Sequence, residues 1–118
     1  MAQLIVHDDT VTLALSRLEQ FEGFRRDLRT PLSSVTAVRA VTDPWSELRG
    51  LRAPGTGFPG VVAVGTRRGS FGKDFTAVHG KAPGVVVEME GQEFQRWVLT
   101  VNDPDPVMVQ VSEAAGLT

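Results

Sequence analysis

The stretch that decides the fold begins R-G-L-R-A-P-G-T-G-F-P-G (residues 49–60) and continues V-V-A-V-G-T-R-R-G (residues 61–69). Ten of the chain's 12 glycines fall between Gly50 and Gly91, and valine-rich runs separate them. Short apolar runs between glycine turns are typical of strands in a small sheet structure. The stretch predicts a mainly β (α+β) fold, in which residues 51–60 form a loop that leads into a strand at 61–66.

Length and composition restrict the possible classes of protein. A chain of 118 residues with 42% hydrophobic and 22% charged residues predicts one packed domain over residues 1–118. The net charge of −2 gives no electrostatic reason to expect nucleic acid as a partner. The chain has no cysteine, which excludes disulfides and thiolate chemistry and fits the cytoplasmic location that we predict. No apolar run approaches the ~20 residues that span a bilayer, so we expect no transmembrane segment.

Outside this stretch, alternating apolar residues predict the remaining strands. Residues 4–6 and 11–15 read as a hairpin whose turn is His7-Asp8-Asp9. The other strands are predicted at 28–30, 35–41, 74–79, 84–90 and 94–101, with a tight turn at residues 90–92. Together with the strand at 61–66, these segments predict a sheet structure of about seven strands.

Three short helices are predicted from capping signals and apolar spacing. Ser16 and Glu19 have the spacing of a capping box, and Leu18 and Phe21 would form the buried side of the helix. Asp43-Pro44 predicts a helical turn that faces Trp45 and Leu48 inward. The last helix follows N-D-P-D-P (residues 102–106), and its predicted apolar stripe consists of Val107, Val111, Ala114 and Ala115.

Two glycine motifs suggest nucleotide binding, but neither has the required context. Residues 55–60 spell G-x-G-x-x-G, which holds a pyrophosphate when it follows a strand and opens a helix. Here the predicted order is reversed and Pro59 interrupts the motif, so we interpret the glycines as structural. Gly72-Lys73 lacks the upstream glycine and the following Ser or Thr of a phosphate loop.

No spacing typical of a catalytic or metal site is present. His7 and His79 are far apart in sequence, and His79 beside Gly80 is interpreted as a turn residue. No G-x-S-x-G segment is present, and the carboxylate pairs Asp8-Asp9 and Glu88/Glu90 are assigned to solvated surface. We therefore predict a protein that is not an enzyme, with no catalytic residue, metal site or cofactor.

Basic residues around the glycine-rich stretch are the predicted binding site. If the strands at 61–66 and 74–79 pair, one hairpin tip carries three cations that could bind phosphate or an acidic partner. The alternative is that such polar tips only keep a sheet soluble. The candidate binding residues are Arg49, Arg52, Phe58, Arg67, Arg68 and Lys73.

Four segments carry a resemblance to a known family: D-P-W-S-E-L-R-G-L-R-A-P-G-T-G-F-P-G (43–60), G-K-D-F-T-A-V (72–78), V-V-V-E-M-E-G (85–91) and V-N-D-P-D-P (101–106). The chain resembles the bacterial pleckstrin-homology (PH)-like domains, and in particular small stand-alone actinobacterial proteins of unknown function. The resemblance implies a sandwich or barrel of two perpendicular antiparallel sheets whose open end is plugged by the C-terminal helix.

The function that follows is a non-enzymatic binding or scaffold module, acting through an unknown protein partner or self-association. One alternative is a small-ligand-binding protein or enzyme with a pocket under the 51–60 loop. Another is binding at a membrane surface. Lipid headgroups are not expected at the first hairpin, because His7-Asp8-Asp9 is acidic where lipid-binding relatives are basic.

Overall fold

The computed structural model describes residues 1–23 and 26–117, and for residues 52–54 it describes the backbone alone. The strands are β1 (Gln3–His7), β2 (Thr10–Ala14), β3 (Leu28–Pro31), β4 (Val35–Val41), β5 (Leu51–Phe58), β6 (Val62–Gly69), β7 (Gly72–His79), β8 (Gly84–Met89) and β9 (Arg96–Thr100). The helices are α1 (Arg17–Gly23) and α2 (Pro104–Ala114), and 3₁₀ turns occupy Leu32–Ser34 and Pro44–Glu47.

The strands form two sheets. Strands β1, β2 and β3 make an antiparallel meander, and the larger sheet has the order β4-β8-β9-β7-β6-β5. The predicted mainly β fold with two sheets and a C-terminal helix is confirmed. The described residues contain nine strands instead of about seven, and the larger sheet is mixed because β7 and β9 run parallel. The expectation of two purely antiparallel sheets is therefore wrong.

The predicted loop over residues 51–60 is also wrong. Residues Leu51–Phe58 form β5, which pairs antiparallel with β6 and shifts register between Arg52 and Gly55. Gly55 has a φ of 154°, and a Cβ atom there would collide with the carbonyl of Val64. The glycine therefore permits a bulged strand to lie close to its neighbour. The sequence pattern predicts a loop because glycine and proline are typical of loops and uncommon in strands.

The core lies on both faces of the larger sheet. On one face, which we call the core face, alternate residues of β8 and β9 are buried, including Val85, Val87, Trp97 and Leu99. The three-stranded sheet, α1 and α2 also contribute to the structure around this core. On the opposite, outer face, Val86 and Val98 lie in a smaller cluster with Ala63 and Val78, against which Val41, Trp45 and Leu48 pack. The predicted division of β8 and β9 into two faces is confirmed.

Helix α1 begins as predicted but buries a different side. The backbone N–H of Ser16 donates to Glu19 at 2.9 Å, and the N–H of Glu19 donates to the Ser16 hydroxyl at 3.2 Å, which confirms the capping box. Leu18 and Phe21 are exposed, so their assignment to the core is wrong. Glu19 is buried in their place, because its carboxylate bonds to a residue of the sheet.

The other helical segments mostly agree with the predictions. The Asp43 carboxylate accepts a hydrogen bond from the N–H of Trp45 at 3.2 Å, and Pro44 occupies the first position of the 3₁₀ turn Pro44–Glu47. In α2, Val111 is fully buried whereas Ala114 is exposed, so Ala114 does not belong to the apolar stripe. Within the described residues, no helix is both long enough and apolar enough to cross a membrane.

The connection between β8 and β9 is longer than the predicted tight turn. Strand β8 ends at Met89 and β9 begins at Arg96. In between, the N–H of Gln95 donates to the carbonyl of Lys73 at 2.7 Å, and the Phe94 side chain is buried. The connection is therefore held against β7 and contributes a core residue, which a tight turn could not do.

Candidate functional site

The predicted basic hairpin forms between β6 and β7. In the register of these strands Arg68 lies opposite Lys73, and Arg67 lies opposite Asp74. The two strands pair as the sequence predicted, and the three cations lie at one end of the hairpin. Arg67 and Arg68 are neighbours in one strand, so their side chains leave opposite faces of the sheet.

Arg67 belongs to a line of charged residues that crosses four strands of the larger sheet. Glu88 pairs with Arg96, Arg96 with Asp74, and Asp74 with Arg67. We call these four residues the charged row. Directly paired residues share a face, so the row lies on the outer face. The backbone of Arg52 lies opposite Arg67 in β5, and the Arg52 side chain is outside the described part of the chain.

Asp74 is the buried centre of the charged row. Its side chain is 1% exposed, and Arg49 donates to its two oxygens at 2.7 and 3.0 Å. Arg96 contacts the same carboxylate at 3.4 Å. The hydrogen bond with Asp74 raises the pKa of Arg49, although burial acts in the opposite direction. The Arg49 guanidinium also lies 3.9 Å from the ring centroid of Phe71, so this candidate binding residue is held by the protein itself.

Glu47 connects the 3₁₀ turn Pro44–Glu47 to the same network. Arg39 donates to its carboxylate at 2.8 Å, and Arg96 contacts the same oxygen at 3.4 Å. The hydrogen bond from Arg39 lowers the pKa of Glu47, against the raising effect of burial. Arg39 also contacts Glu88 at 3.2 Å. These contacts attach the turn to the outer face of the sheet.

Two more of the predicted binding residues make contacts within the chain. The Arg67 guanidinium donates to the carbonyl oxygens of Arg49 and Gly50 at 3.0 and 2.9 Å. Lys73 contacts Glu93 at 3.4 Å. The basic cluster therefore has a structural role, and its binding role stays a prediction. The roles of Asp74 and Glu47 were missed, because the arginines that bond to these carboxylates lie between 8 and 49 positions away in sequence.

A second buried carboxylate fastens α1 to the larger sheet. The Glu19 side chain is 1% exposed, and its carboxylate lies 2.9 Å from Nε2 of His79 at the end of β7. Burial favours a higher pKa for Glu19, but hydrogen bonds with His79 and Ser16 lower it below its usual value. The interpretation of His79 as a simple turn residue is wrong. The two partners are 60 positions apart, so sequence analysis did not pair them.

Exposed apolar side chains surround α1 and the end of β5. Leu18, Phe58 and Val61 are each 63% exposed and Phe21 is 78% exposed. We call these four residues the α1–β5 surface. Val61 lies in the turn that joins β5 to β6. Of these residues, only Phe58 belonged to the predicted binding set.

Contacts between α1 and β5 bring the two elements that carry Leu18 and Phe58 together. The Thr56 hydroxyl donates to the carbonyl of Glu22 at 3.0 Å, so α1 lies beside this part of β5. Phe58 is two residues beyond Thr56 and therefore on the same face of the strand. Leu18 and Glu22 are four residues apart and share one side of the helix. Leu18 and Phe58 consequently belong to two elements that lie side by side on the core-face side.

The two ends of β5 differ in the residues that lie beside them. Arg67 and Arg68 lie beside its first residues, whereas Phe58 ends it next to the apolar side chains of α1. Two other phenylalanines near the basic residues do not extend the apolar surface, since Phe75 is buried and Phe71 lies under Arg49. The predicted combination of basic and aromatic contact residues is thus divided between two ends of one strand.

Comparison with protein-family models, curated proteins and solved structures gave no match to this chain. Within the described residues, no three His, Asp or Glu side chains are grouped so that they could hold a metal ion.

Proposed function

We propose that the chain is a non-enzymatic binding module that acts through protein contacts, and that these contacts form on the α1–β5 surface. The observation that carries the proposal is the exposure of four large apolar side chains, each 63% or more, from two separate segments. Burial of such side chains in a partner is favourable, at about 25 cal/mol per Å² of apolar surface removed from water. A group of them on one surface is characteristic of an interaction site.

The proposal divides the predicted contact residues into two groups. Phe58 belongs to the α1–β5 surface and is assigned to the partner contact. Arg49 and Arg67 are assigned to the fold, because their guanidinium groups bond to Asp74 and to backbone carbonyls. Arg52, Arg68 and Lys73 remain secondary contact candidates at the other end of β5. The proposal also retains a pleckstrin-homology-like fold and a cytoplasmic location, supported by the two sheets, the C-terminal helix and the cysteine-free sequence.

A small-ligand site is the second candidate function. The sequence predicts such a site under a loop at residues 51–60. Because Leu51–Phe58 form a strand, the candidate for this site is now a groove near Gly60. This groove has a volume of about 340 Å³ and is lined by Thr42, Asp43, Trp45, Gly60 and Lys81. Its volume suits a small molecule, and Asp43 and Lys81 supply charged groups. It ranks second because it is open to solvent and its polar groups are few.

The α1–β5 surface is tested with a matched pair of variants. Phe21→Ser combined with Phe58→Ser removes two aromatic rings from the surface, and Val109→Ser removes an apolar side chain of α2 that is 45% exposed. Each protein, carrying an affinity tag, is mixed with native cell extract that also contains an untagged copy of the chain. Bound proteins are compared by quantitative mass spectrometry.

We expect the wild-type protein and Val109→Ser to retain the same partner, and the double variant to lose it at least tenfold. Equal recovery from all three proteins would contradict the proposal. Binding of the wild-type protein to anionic vesicles with loss in the double variant, and no protein partner, would assign the surface to membranes instead.

A further inference from the structure

We infer that the partner of the α1–β5 surface is a second copy of this chain, and that the outer edges of two β5 strands pair antiparallel in a two-fold dimer. The inference rests on the proposed function and names its partner. It follows from the position of β5 in the sheet, from the placement of apolar residues along the strand, and from the separation of the charges.

Strand β5 is an exposed sheet edge. It ends the six-stranded order, and within the described residues no strand pairs with its outer side. Across its described residues Val35–Val41, the opposite edge strand, β4, has no large exposed apolar side chain, whereas β5 has Leu51 and Phe58. An edge strand presents unpaired N–H and C=O groups that another strand can bind. Of the two edges of the larger sheet, β5 is therefore the one that presents exposed apolar side chains beside its unpaired backbone groups.

Apolar residues at the two ends of β5 make the strand complementary to itself. Leu51 and Phe58 are its first and last residues, and their side chains are 80% and 63% exposed. They pair with Arg68 and Val62 of β6, which are an even number of residues apart, so both lie on the core-face side. A two-fold axis at the middle of β5 places Leu51 of each copy directly opposite Phe58 of the other. This match favours a second copy over an unrelated chain.

The same symmetry brings α1 into the contact. A two-fold axis perpendicular to the sheet keeps the core-face sides of both copies together, so both α1 helices lie on the same side of the joined sheet. Because α1 lies beside β5, the exposed Leu18 and Phe21 are carried to the side of the joined sheet on which Phe58 meets Leu51 of the partner copy. The apolar contact therefore continues from the strands onto the helices.

The basic residues do not prevent this pairing. With Leu51 opposite Phe58, position 52 of one copy lies opposite Gly57 of the other. The two copies of Arg67 are then roughly 20 Å apart, from three strand spacings and five residues along the strand. This separation is about twice the distance over which physiological salt screens charges. Repulsion between the two basic hairpins is therefore small.

Pro54 limits the hydrogen bonds at the centre of the interface. Proline has no backbone N–H, and the bulge between Arg52 and Gly55 falls in the same segment. The association consequently depends on Leu51, Phe58 and the α1 side chains more than on a continuous backbone ladder. The same features disfavour unspecific pairing with other strands.

Light scattering across a concentration series tests the dimer. We expect a mass that rises toward twice 12.8 kDa for the wild-type protein and for Val109→Ser. Phe58→Asp should weaken association at least tenfold, because the charged group would be placed against Leu51. A monomer at every concentration up to about 1 mM would overturn the inference. The proposed function would stand without the dimer if the wild-type protein captured another protein from the extract and the Phe21→Ser, Phe58→Ser double variant did not.

Cysteine pairing tests the register, since the natural chain has no cysteine. Leu51→Cys mixed with Phe58→Cys should form a disulfide-linked heterodimer in air, because opposite Cβ atoms are about 5 Å apart, close to the separation in a disulfide. Leu51→Cys alone should not cross-link, since its two copies would be roughly 23 Å apart. Cross-linking of Leu51→Cys alone, or no heterodimer at concentrations where the mixture is dimeric by light scattering, would overturn the proposed register.

Discussion

The charged row and the α1–β5 surface are two regions of the molecule in which burial is the reverse of what residue chemistry suggests. In the charged row, Asp74 is buried and two arginines bond to it. In the α1–β5 surface, Phe21 and Phe58 are left largely in solvent. The charged residues Arg49 and Arg67, which the sequence predicts as binding residues, stabilise the fold. The apolar residues, which are usually found in a core, are exposed and can contact a partner. The comparison shows that a residue's role depends on its partners in space.

The largest effect is expected from Asp74→Asn, which would break the centre of the charged row. The substitution leaves Arg49 and Arg96 facing a neutral amide in a buried position. Loss of one partner of a buried ion pair costs about 3–5 kcal/mol, and we expect the lower end because Arg49 is 36% exposed. Urea unfolding at low protein concentration measures the change. The control Asp8→Asn, at a side chain 81% exposed, should leave the midpoint unchanged, and equal stability of the two variants would contradict the structural role of Asp74.

Glu19→Gln should have the next largest effect, because it removes the charge that fastens α1 to β7. We expect a loss of about 2 kcal/mol in the free energy of unfolding at neutral pH, within the range for hydrogen bonds to charged groups. Thermal unfolding by circular dichroism measures it. Ser16→Ala removes only the cap of the same helix and should cost about 1 kcal/mol. A Glu19→Gln protein as stable as the wild type would show that the His79 contact contributes nothing.

The same pair predicts a dependence of stability on pH. The pKa of Glu19 is lower in the folded protein than its usual value, so the folded protein stabilises the ionised carboxylate. Its contribution to stability is complete above the unfolded carboxyl pKa of about 4.3 and is lost as the pH falls through the folded pKa. Urea unfolding is measured at several pH values between neutral and acidic. The free energy of unfolding of the wild-type protein should fall more on acidification than that of Glu19→Gln. Identical pH profiles for the two proteins would contradict this assignment.

Arg67→Met should have a smaller effect on stability, because the guanidinium bridges two backbone carbonyls at the edge of the row. We expect a loss of about 1–2 kcal/mol by urea unfolding. Arg67→Lys keeps the charge but not the planar fork that reaches both oxygens, so it should lose most of the same stability. Full recovery with lysine would indicate that charge, and not the bridge to Arg49 and Gly50, is the important property.

The smallest effect on stability is expected from Phe21→Ser combined with Phe58→Ser in the α1–β5 surface. Both rings are exposed, so the unfolding free energy of the monomer should change by no more than about 0.5 kcal/mol per substitution. The same variant is the one expected to lose binding. Urea unfolding at a concentration below dimer formation separates the two effects. A large loss of monomer stability would show that these rings belong to the core.

Local sequence signals predicted the elements whose causes are local. The capping box of Ser16 and Glu19, the start of the 3₁₀ turn at Asp43-Pro44, and the alternation of β8 were all readable from neighbouring residues. Each depends on contacts within a few positions of the chain, or on a period of two. The structure confirms these features for that reason.

Features that depend on distant contacts were missed. Helix α1 has seven residues, and periodicity alone assigned Leu18 and Phe21 to its buried side. Its actual orientation is set by the bond between Glu19 and His79, which lie in separate parts of the sequence. Likewise, β5 is a strand because its backbone pairs with β6, although its glycines and prolines favour turns. The α1–β5 surface arises from these two missed features, so it could not be predicted from sequence.

Hydrogen–deuterium exchange of the wild-type protein at low and high concentration locates the contact between copies. We expect a higher protein concentration to slow exchange in β5 (Leu51–Phe58) and in α1 (Arg17–Gly23), while β4 and α2 exchange at unchanged rates. Phe58→Asp should abolish the difference. Concentration-dependent protection confined to β4 or α2, or no protection in any segment, would contradict the assignment of the α1–β5 surface as the contact between copies.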